Sequence, residues 1–164
     1  MSNILYTIRR RFEIDAGHRV YGHEGKCASL HGHRYAFQVY FQQVENSLDN
    51  LGRVVDFSVA KNKVGAWLEN NWDHAMLLWT DDPVSIFWNC DVSSPKDDVI
   101  LRRAIQELRK GKYFLLPVNP TAENLAGYLL EVTNQLLNET GIVCNKVECW
   151  ETPNCMAIAD TLTA

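Results

Sequence analysis

Two segments near the start of the chain alternate between apolar and polar positions. In residues 5–18 the alternation is partial, and in residues 31–41 an aromatic, histidine or valine side chain occupies every second position. A period of two is the spacing of a strand with one buried face, so both segments are predicted to be β-strands. Residues 19–30, which join them, contain two glycines and several polar side chains and are predicted to form a loop.

Three later segments have the period of about 3.6 residues that predicts an amphipathic helix. These helices are expected to begin near Asp56, at Asp97 and at Thr121, and two further strands are expected at Tyr113–Leu116 and in residues 142–150. Residues 80–98 contain two prolines and scattered polar side chains and are predicted to form a loop. Strands and helices do not alternate regularly, so the pattern predicts an α+β fold with an antiparallel sheet of three or four strands. Such a sheet leaves long edges, which favour pairing with other subunits.

Length and charge narrow the class of protein. The chain has 164 residues, enough for one well-buried domain, and its formal net charge of −4 argues against binding to nucleic acid. The sequence contains neither the pattern of a secretory signal nor an apolar stretch long enough for a membrane helix. Its five cysteines are an odd number at irregular spacing, so we expect no disulfide framework. We therefore expect a cytoplasmic protein that does not bind membranes.

Three histidines and a cysteine lie close together in the sequence. His31 and His33 are two residues apart, so both side chains leave the same face of a strand, and His18 at the end of a neighbouring strand would add a third nitrogen. Zinc held by three protein ligands keeps a fourth position for water or substrate, which is the arrangement of a catalytic site. The spacing leaves two questions open. Cys27 is either a fourth ligand or a free acid/base group, and His23 is a rival ligand.

Carboxylates elsewhere in the chain suggest proton transfer and ring recognition. Asp73 directly precedes His74, and such a carboxylate can fix the tautomer of an imidazole and raise its basicity, although a solvated pair at a helix end is equally consistent. Glu151 lies where a strand ends and could accept two N–H bonds from a purine or pterin ring. Glu123 lies in the first turn of a predicted helix, where the helix dipole favours a carboxylate without any function.

Six stretches of the chain resemble one family, the 6-pyruvoyl-tetrahydropterin and 6-carboxy-tetrahydropterin synthases. They occur in the order found in that family, and together they are highly specific. The stretches are FEIDAGH (12–18), CASLHGH (27–33), GRVVDF (52–57), DH (73–74), PTAENLA (120–126) and WETP (150–153).

The resemblance implies a tunnelling fold. In that fold an antiparallel sheet carries helices on one face, and the sheets of several subunits join into a barrel. The resemblance also implies a homo-oligomer, a hexamer of two stacked trimers, with active sites at the subunit interfaces. The 45 residues between His74 and Pro120 exceed the connection in compact members. We therefore expect a single domain over residues 1–164 with an insertion at about 80–117.

The same resemblance assigns roles to the candidate residues. It implies that zinc is the cofactor, held by His18, His31 and His33. It implies that Cys27 is the general acid/base and that Asp73 and His74 form a relay for protons. The pterin ring would be anchored by Glu151 in a pocket lined by Thr121 and Glu123.

The implied substrate is 7,8-dihydroneopterin triphosphate. The three residues between Cys27 and His31 resemble the carboxy branch of the family, which belongs to the queuosine and 7-deazaguanine pathway and releases acetaldehyde and triphosphate. The expected activity is therefore that of a zinc-dependent lyase forming 6-carboxy-tetrahydropterin. The alternatives are a 6-pyruvoyl-tetrahydropterin synthase and a pterin-binding protein without catalytic activity.

Overall fold

The core of the fold is a mixed sheet. The computed structural model describes residues 4–45, 47–89 and 99–161, and within these ranges six strands lie in the order β4-β3-β1-β2-β5-β6. The strands are β1 (Ile8–His18), β2 (His31–Gln43), β3 (Met76–Trp79), β4 (Tyr113–Leu116), β5 (Ile142–Thr152) and β6 (Cys155–Asp160). The pairs β1–β2, β2–β5 and β5–β6 are antiparallel.

Five helices accompany the sheet in the same ranges. They are α1 (Phe57–Ala60), α2 (Ala66–Asn71), α3 (Ile86–Asn89), α4 (Val99–Leu108) and α5 (Ala122–Leu136). A π-helical segment, Lys61–Gly65, joins α1 to α2. The predicted helix start at Asp97 lies outside the described residues. None of the described helices has both the length and the apolar character that a membrane crossing requires.

One face of the sheet packs against α2 and α5, and we call it the core face. Ile14 of β1 and Phe37 of β2 lie on this face and are buried. The ring of Trp72 fills the space between Phe37, at 5.6 Å, and Tyr128 of α5, at 6.0 Å between ring centroids. Burial of these large apolar side chains is the main stabilising contribution to the fold. The opposite, more polar face of the sheet is called the open face below.

The prediction of an antiparallel sheet of three or four strands is wrong at one edge. Strand β3 runs parallel to β1, which it contacts only at Gly17 and His18, and β4 runs parallel to β3. Parallel neighbours need a long crossover, and the chain between Trp79 and Tyr113 provides it. Strand β3 was not predicted because four apolar residues carry no readable period. Strand β6, at the other edge, was also missed.

The expectation that all helices lie on one face is also wrong. Phe114 of β4 points to the core face, where its ring lies 5.7 Å from that of Trp67. Its neighbour Tyr113 therefore points to the open face, and the ring of Trp88 in α3 packs on it at 5.6 Å. Helix α3 thus covers the open face beside the parallel strands. A four-residue helix is too short to show a helical period, and residues 80–98 were therefore predicted to be a loop.

Candidate active site

Three histidines meet at one end of the sheet, on the core face. His18 ends β1 and is paired directly with His31, which begins β2, while His33 is paired with Ala16. One ring nitrogen of each histidine lies within 4.8 Å of the corresponding nitrogens of the other two. The sequence folds this way because a strand places residues two apart on the same face, and the antiparallel register brings the end of β1 beside the start of β2.

Backbone carbonyl groups orient two of these rings. His18 Nδ1 lies 2.8 Å from the carbonyl oxygen of Pro120, and His31 Nδ1 lies 2.8 Å from that of Ser29. A carbonyl oxygen only accepts hydrogen bonds, so each Nδ1 carries the proton and donates. The Nε2 atom of each ring is therefore left with a lone pair. Such contacts to the outer nitrogen of a histidine are typical of metal ligands.

The ring nitrogens of His18 and His31 that face each other both lack a proton to donate. His18 Nε2 and His31 Nε2 are 3.1 Å apart, which brings two lone pairs together. His33 Nε2 is buried and has no hydrogen-bond partner among the residues that the structure describes. A cation at this point would satisfy all three atoms, and imidazole nitrogen suits zinc. The donor set therefore fits a metal ion of that type.

Two of the histidines, His18 and His33, are also disposed to stay neutral. Burial lowers the pKa of His18 and of His33, because desolvation disfavours the charged imidazolium. The nearby Glu151 carboxylate acts in the opposite direction on both residues, but its effect is smaller than that of burial. Neutral rings keep the lone pairs that metal binding needs.

Glu151 lies at the border of the three-histidine group. Its Oε1 atom is 3.4 Å from His18 Nε2 and 3.6 Å from His33 Nε2. The His18 nitrogen is not protonated in the tautomer that the Pro120 carbonyl selects, so its contact with the carboxylate is favourable only with a cation or proton between them. Glu151 thus adds a negative charge to the place where the histidines offer a metal site.

A cavity of about 250 Å³ opens next to this group. The residues predicted to act on substrate line it together: Cys27, Thr121, Glu123 and Glu151. Cys27 lies in a short 3₁₀ turn, Lys26–Ala28, of the loop between β1 and β2, and it is partly buried. Thr121 caps the first turn of α5, where its hydroxyl accepts from the Asn124 N–H. A thiol, a hydroxyl and two carboxylates from three separate segments therefore face one small space.

The described residues form a metal group from the three histidines, without Cys27 or His23. His23 uses its Nδ1 to accept from the Gly25 N–H at 2.8 Å and lies on the wall of the 250 Å³ cavity. Cys27 and His23 therefore both face the cavity. These are the two side chains that the spacing left as rival ligands.

The pair of Asp73 and His74 lies outside the cavity that Cys27 lines. His74 Nδ1 is 2.9 Å from Asp73 Oδ2, so the predicted contact between the two side chains is present. His74 belongs to a wider groove over the end of the sheet, bordered by Gly17, Gly32 and Trp88. Neither member of the pair lines the cavity that holds Cys27.

Several groups near the site were not predicted from the sequence. Cys155 and Met156 of β6 line the cavity, and the buried Tyr35 hydroxyl, beside the histidines, has no hydrogen-bond partner in the described part of the chain. Burial, with smaller contributions from Glu151, Cys149 and Cys27, raises the pKa of Tyr35 strongly. The residues Pro153 and Asn154 after β5 form a two-residue turn, a signal that could have predicted β6 and its thiol.

Sequence comparison relates the chain to a family of pterin enzymes. The model of the family described as 6-pyruvoyl tetrahydropterin synthase matches residues 7–161. A protein of Rickettsia felis named 6-carboxy-5,6,7,8-tetrahydropterin synthase is 34% identical over 147 residues, which cover 89% of this chain and 94% of the relative. A protein of Haemophilus influenzae with the same name is 29% identical over 153 residues, covering 91% and 94% of the two chains.

Solved structures share the fold. An uncharacterized protein from Wolinella succinogenes superposes with a TM-score of 0.78 at 24% identity, covering 96% of this chain and 99% of the other. The 6-pyruvoyl tetrahydropterin synthase of Caenorhabditis elegans superposes with a TM-score of 0.62 at 21% identity, covering 95% of each chain.

Proposed function

Because the chain belongs to the 6-pyruvoyl tetrahydropterin synthase family, we propose that it is a zinc-dependent 6-carboxy-5,6,7,8-tetrahydropterin synthase. The reaction converts 7,8-dihydroneopterin triphosphate and water to 6-carboxy-tetrahydropterin, acetaldehyde and triphosphate. The observation that carries the proposal is the cavity beside the three histidines, which a thiol and two carboxylates line together. The relatives that carry the name of this enzyme support it over most of their length.

His18, His31 and His33 would hold the zinc ion through their Nε2 atoms. When bound there, zinc would act as a Lewis acid that lowers the pKa of substrate hydroxyl groups and stabilises negative charge on their oxygens. The protein's own part is to fix the three rings. The carbonyl groups of Pro120 and Ser29 hold two of them in the required tautomer.

Cys27 is the proposed acid/base group. Its Sγ atom, as a thiolate, would remove a proton from the carbon of the substrate side chain and return one later in the reaction. The loop between β1 and β2 brings this residue to the cavity without placing it among the metal-binding atoms. A thiol bound to metal would be deprotonated and unable to carry a proton, so the separation supports this role.

Glu151, Glu123 and Thr121 are the proposed substrate-binding residues. A carboxylate can accept two parallel N–H bonds from the amino-pyrimidine edge of a pterin. Glu151 is suited to this role because it borders both the cavity and the three histidines, so an anchored ring would place its side chain toward the metal. Glu123 and Thr121 would contact the ring from the start of α5.

The active protein is proposed to be a homo-oligomer, a hexamer of two trimers with joined sheets. From Ile8 to Ala16 the outer edge of β1 has no strand partner within the described ranges, and β6 forms the edge at the other end of the sheet. Pairing of these two edges in neighbouring copies would satisfy their unpaired backbone groups. Assembly would also allow Asp73 and His74 of one copy to act as the proton relay for Cys27 of another.

The remaining features of the proposal concern the chain as a whole. A single tunnelling-fold domain would span residues 1–164, with an insertion at about 80–117 that includes α3, α4 and β4. A cytoplasmic location fits a biosynthetic enzyme with a soluble pterin triphosphate as substrate.

Identification of the product tests the proposal. The zinc-loaded protein is incubated without oxygen with 7,8-dihydroneopterin triphosphate, and the products are identified by mass spectrometry. We expect 6-carboxy-tetrahydropterin and acetaldehyde. If 6-pyruvoyl-tetrahydropterin is the sole product, the protein belongs to the other branch of the family. Binding of the pterin without conversion would identify a non-catalytic binding protein.

Replacement of the thiol tests the mechanism. We expect Cys27→Ala to keep its zinc and to lose turnover by roughly 10²–10⁴-fold, which is the contribution of a positioned acid/base group. Cys155→Ala removes the second thiol of the same cavity and should keep most of the turnover. Loss of zinc from Cys27→Ala would make Cys27 a ligand and exclude the assigned role.

A further inference from the structure

The turn that carries Asp73 and His74 has an unusual backbone. His74 has a φ angle of 57°, in the left-handed region that residues with a Cβ atom rarely adopt. Its side chain is 77% exposed, so packing does not hold the ring in place. The direction of this imidazole must therefore depend on the hydrogen bonds of the turn.

Strand β1 holds one side of the turn. The Asp15 N–H donates to Asp73 Oδ1 at 3.0 Å, and the His74 N–H donates to the Asp15 carbonyl at 2.6 Å. Two residues further along, the Gly17 N–H donates to the Ala75 carbonyl at 2.9 Å. These three hydrogen bonds fix the position of the turn along β1.

Lys112 holds the other side of the turn. Its Nζ atom donates to the carbonyl groups of Glu69, at 2.6 Å, and Asp73, at 2.7 Å. The Asp73 N–H donates to Leu68, so the Glu69 carbonyl in the last turn of α2 is available to accept from the lysine. The Met76 N–H in turn donates to the Lys112 carbonyl at 2.9 Å, which fixes the backbone of the lysine itself.

We propose that Lys112 is a positioning residue for the Asp73–His74 pair. Its ammonium group joins the end of α2 to the carbonyl directly before His74, and this contact holds the turn in the conformation that aims the imidazole. The inference rests on the relay proposed above. Lys112 lies within the proposed insertion, so the insertion would contribute directly to catalysis rather than only extending the sheet.

The test uses three variants of the whole chain. Lys112→Met keeps the aliphatic stem and removes the ammonium group, while Lys112→Arg keeps a cation with several donors. Lys110→Met is the matched control, because Lys110 lies in the same segment and its Nζ pairs only with the exposed Glu107, at 2.6 Å, among the contacts described. For each variant we would measure kcat and KM with 7,8-dihydroneopterin triphosphate, zinc content, thermal melting, and the NMR signal of the His74 imidazole, assigned with His74→Gln.

We expect Lys112→Met to lower kcat by roughly 10–100-fold, since a displacement of about 1 Å of a reacting group has effects of this size. Its KM should stay within about twofold, because the lysine does not contact substrate. Lys112→Arg should recover most of kcat, and Lys110→Met should match the unmodified protein. The His74 signal should shift in Lys112→Met alone.

Two results would overturn the inference. One is an unchanged kcat and an unchanged His74 signal in Lys112→Met. The other is an equal loss in Lys112→Met and Lys112→Arg together with a lower melting temperature in both, which would indicate only a structural role. If the unmodified protein forms no product, the proposed function fails, and the His74 signal still decides whether Lys112 holds the turn.

Discussion

The three histidines and the Asp73–His74 pair both lie near the end of β1, but the fold holds them in different ways. His18 is fully buried, and backbone carbonyl groups fix the rings of His18 and His31 directly. The His74 ring is largely exposed, and its side chain contacts Asp73. The other hydrogen bonds that hold the turn are made to backbone groups or to the Asp73 side chain.

This difference in how the two groups are held indicates what each one needs from neighbouring copies in the proposed oligomer. The three histidine nitrogens converge within one chain, and backbone groups of the same chain orient two of the rings. A single copy could therefore bind metal. His74 is exposed, Asp73 is partly buried, and neither lines the cavity that holds Cys27, so a single copy does not place the proposed relay beside the thiol. We therefore expect metal binding to survive dissociation of the oligomer and turnover to require assembly.

Removal of one ligand gives the largest expected effect on the histidine side of this comparison. We expect His31→Ala to lose bound zinc, from about one ion per chain to near zero, and all turnover with it, because catalytic zinc sites have three protein ligands. Metal analysis by mass spectrometry checks this. His23→Ala serves as the control and should keep its zinc, since His23 lies outside the histidine group. Zinc retained by His31→Ala would mean that another side chain replaces it.

Mixed oligomers test the other side of the comparison. We expect Cys27→Ala and His74→Ala to be almost inactive when each is expressed alone. Co-expressed in equal amounts, they should regain about a quarter of full turnover, because random assembly places an intact thiol and an intact relay at one interface with that frequency. Turnover per chain, measured on purified mixtures, checks this. Absence of any recovery would show that both groups must come from the same chain.

The smallest expected effect concerns the start of α5, where Thr121 lines the cavity and the preceding Pro120 holds the His18 ring. Thr121 caps α5, and Thr121→Ala should lower the free energy of unfolding by about 1 kcal/mol through loss of the cap. Thr121→Ser keeps the hydroxyl and should stay close to the unmodified protein. Urea denaturation measures both. An equal loss in the two variants would show that the methyl group, rather than the cap, stabilises this end of the helix.

Local sequence patterns predicted much of the fold. The strands β1, β2 and β5 and the helix α5 were predicted to within a few residues, because each is long enough to show its period and has a clear boundary signal. The antiparallel register of β1 and β2 then follows, which brings His18 beside His31 and His33. The convergence of His18, His31 and His33 was therefore one arrangement that spacing predicted, but spacing left His23 as a rival ligand and Cys27 as a candidate fourth.

Features set by contacts between distant segments were not predictable in this way. Strand β4 is parallel to β3 because the chain between them is long enough for a crossover, and nothing in the four residues of β3 indicates that it runs parallel to β1. The short helix α3 reaches the open face through one ring contact, between Trp88 and Tyr113. His74 has a left-handed backbone, and Lys112, 38 residues later, donates to the carbonyl directly before it. The sequence singled out the pair, but only the structure shows that it does not line the cavity of Cys27.

The hydrogen bond between His18 and Pro120 connects two binding equilibria. Pro120 directly precedes Thr121 on the cavity wall, so a pterin that moves this backbone also turns the His18 ring and changes the orientation of its Nε2 atom. Metal affinity and pterin affinity then depend on each other. Thermodynamic reciprocity requires the same factor in both directions: if bound pterin tightens zinc tenfold, bound zinc tightens the pterin about tenfold. Titrating the metal with and without pterin would thus measure how strongly the two ligands are coupled.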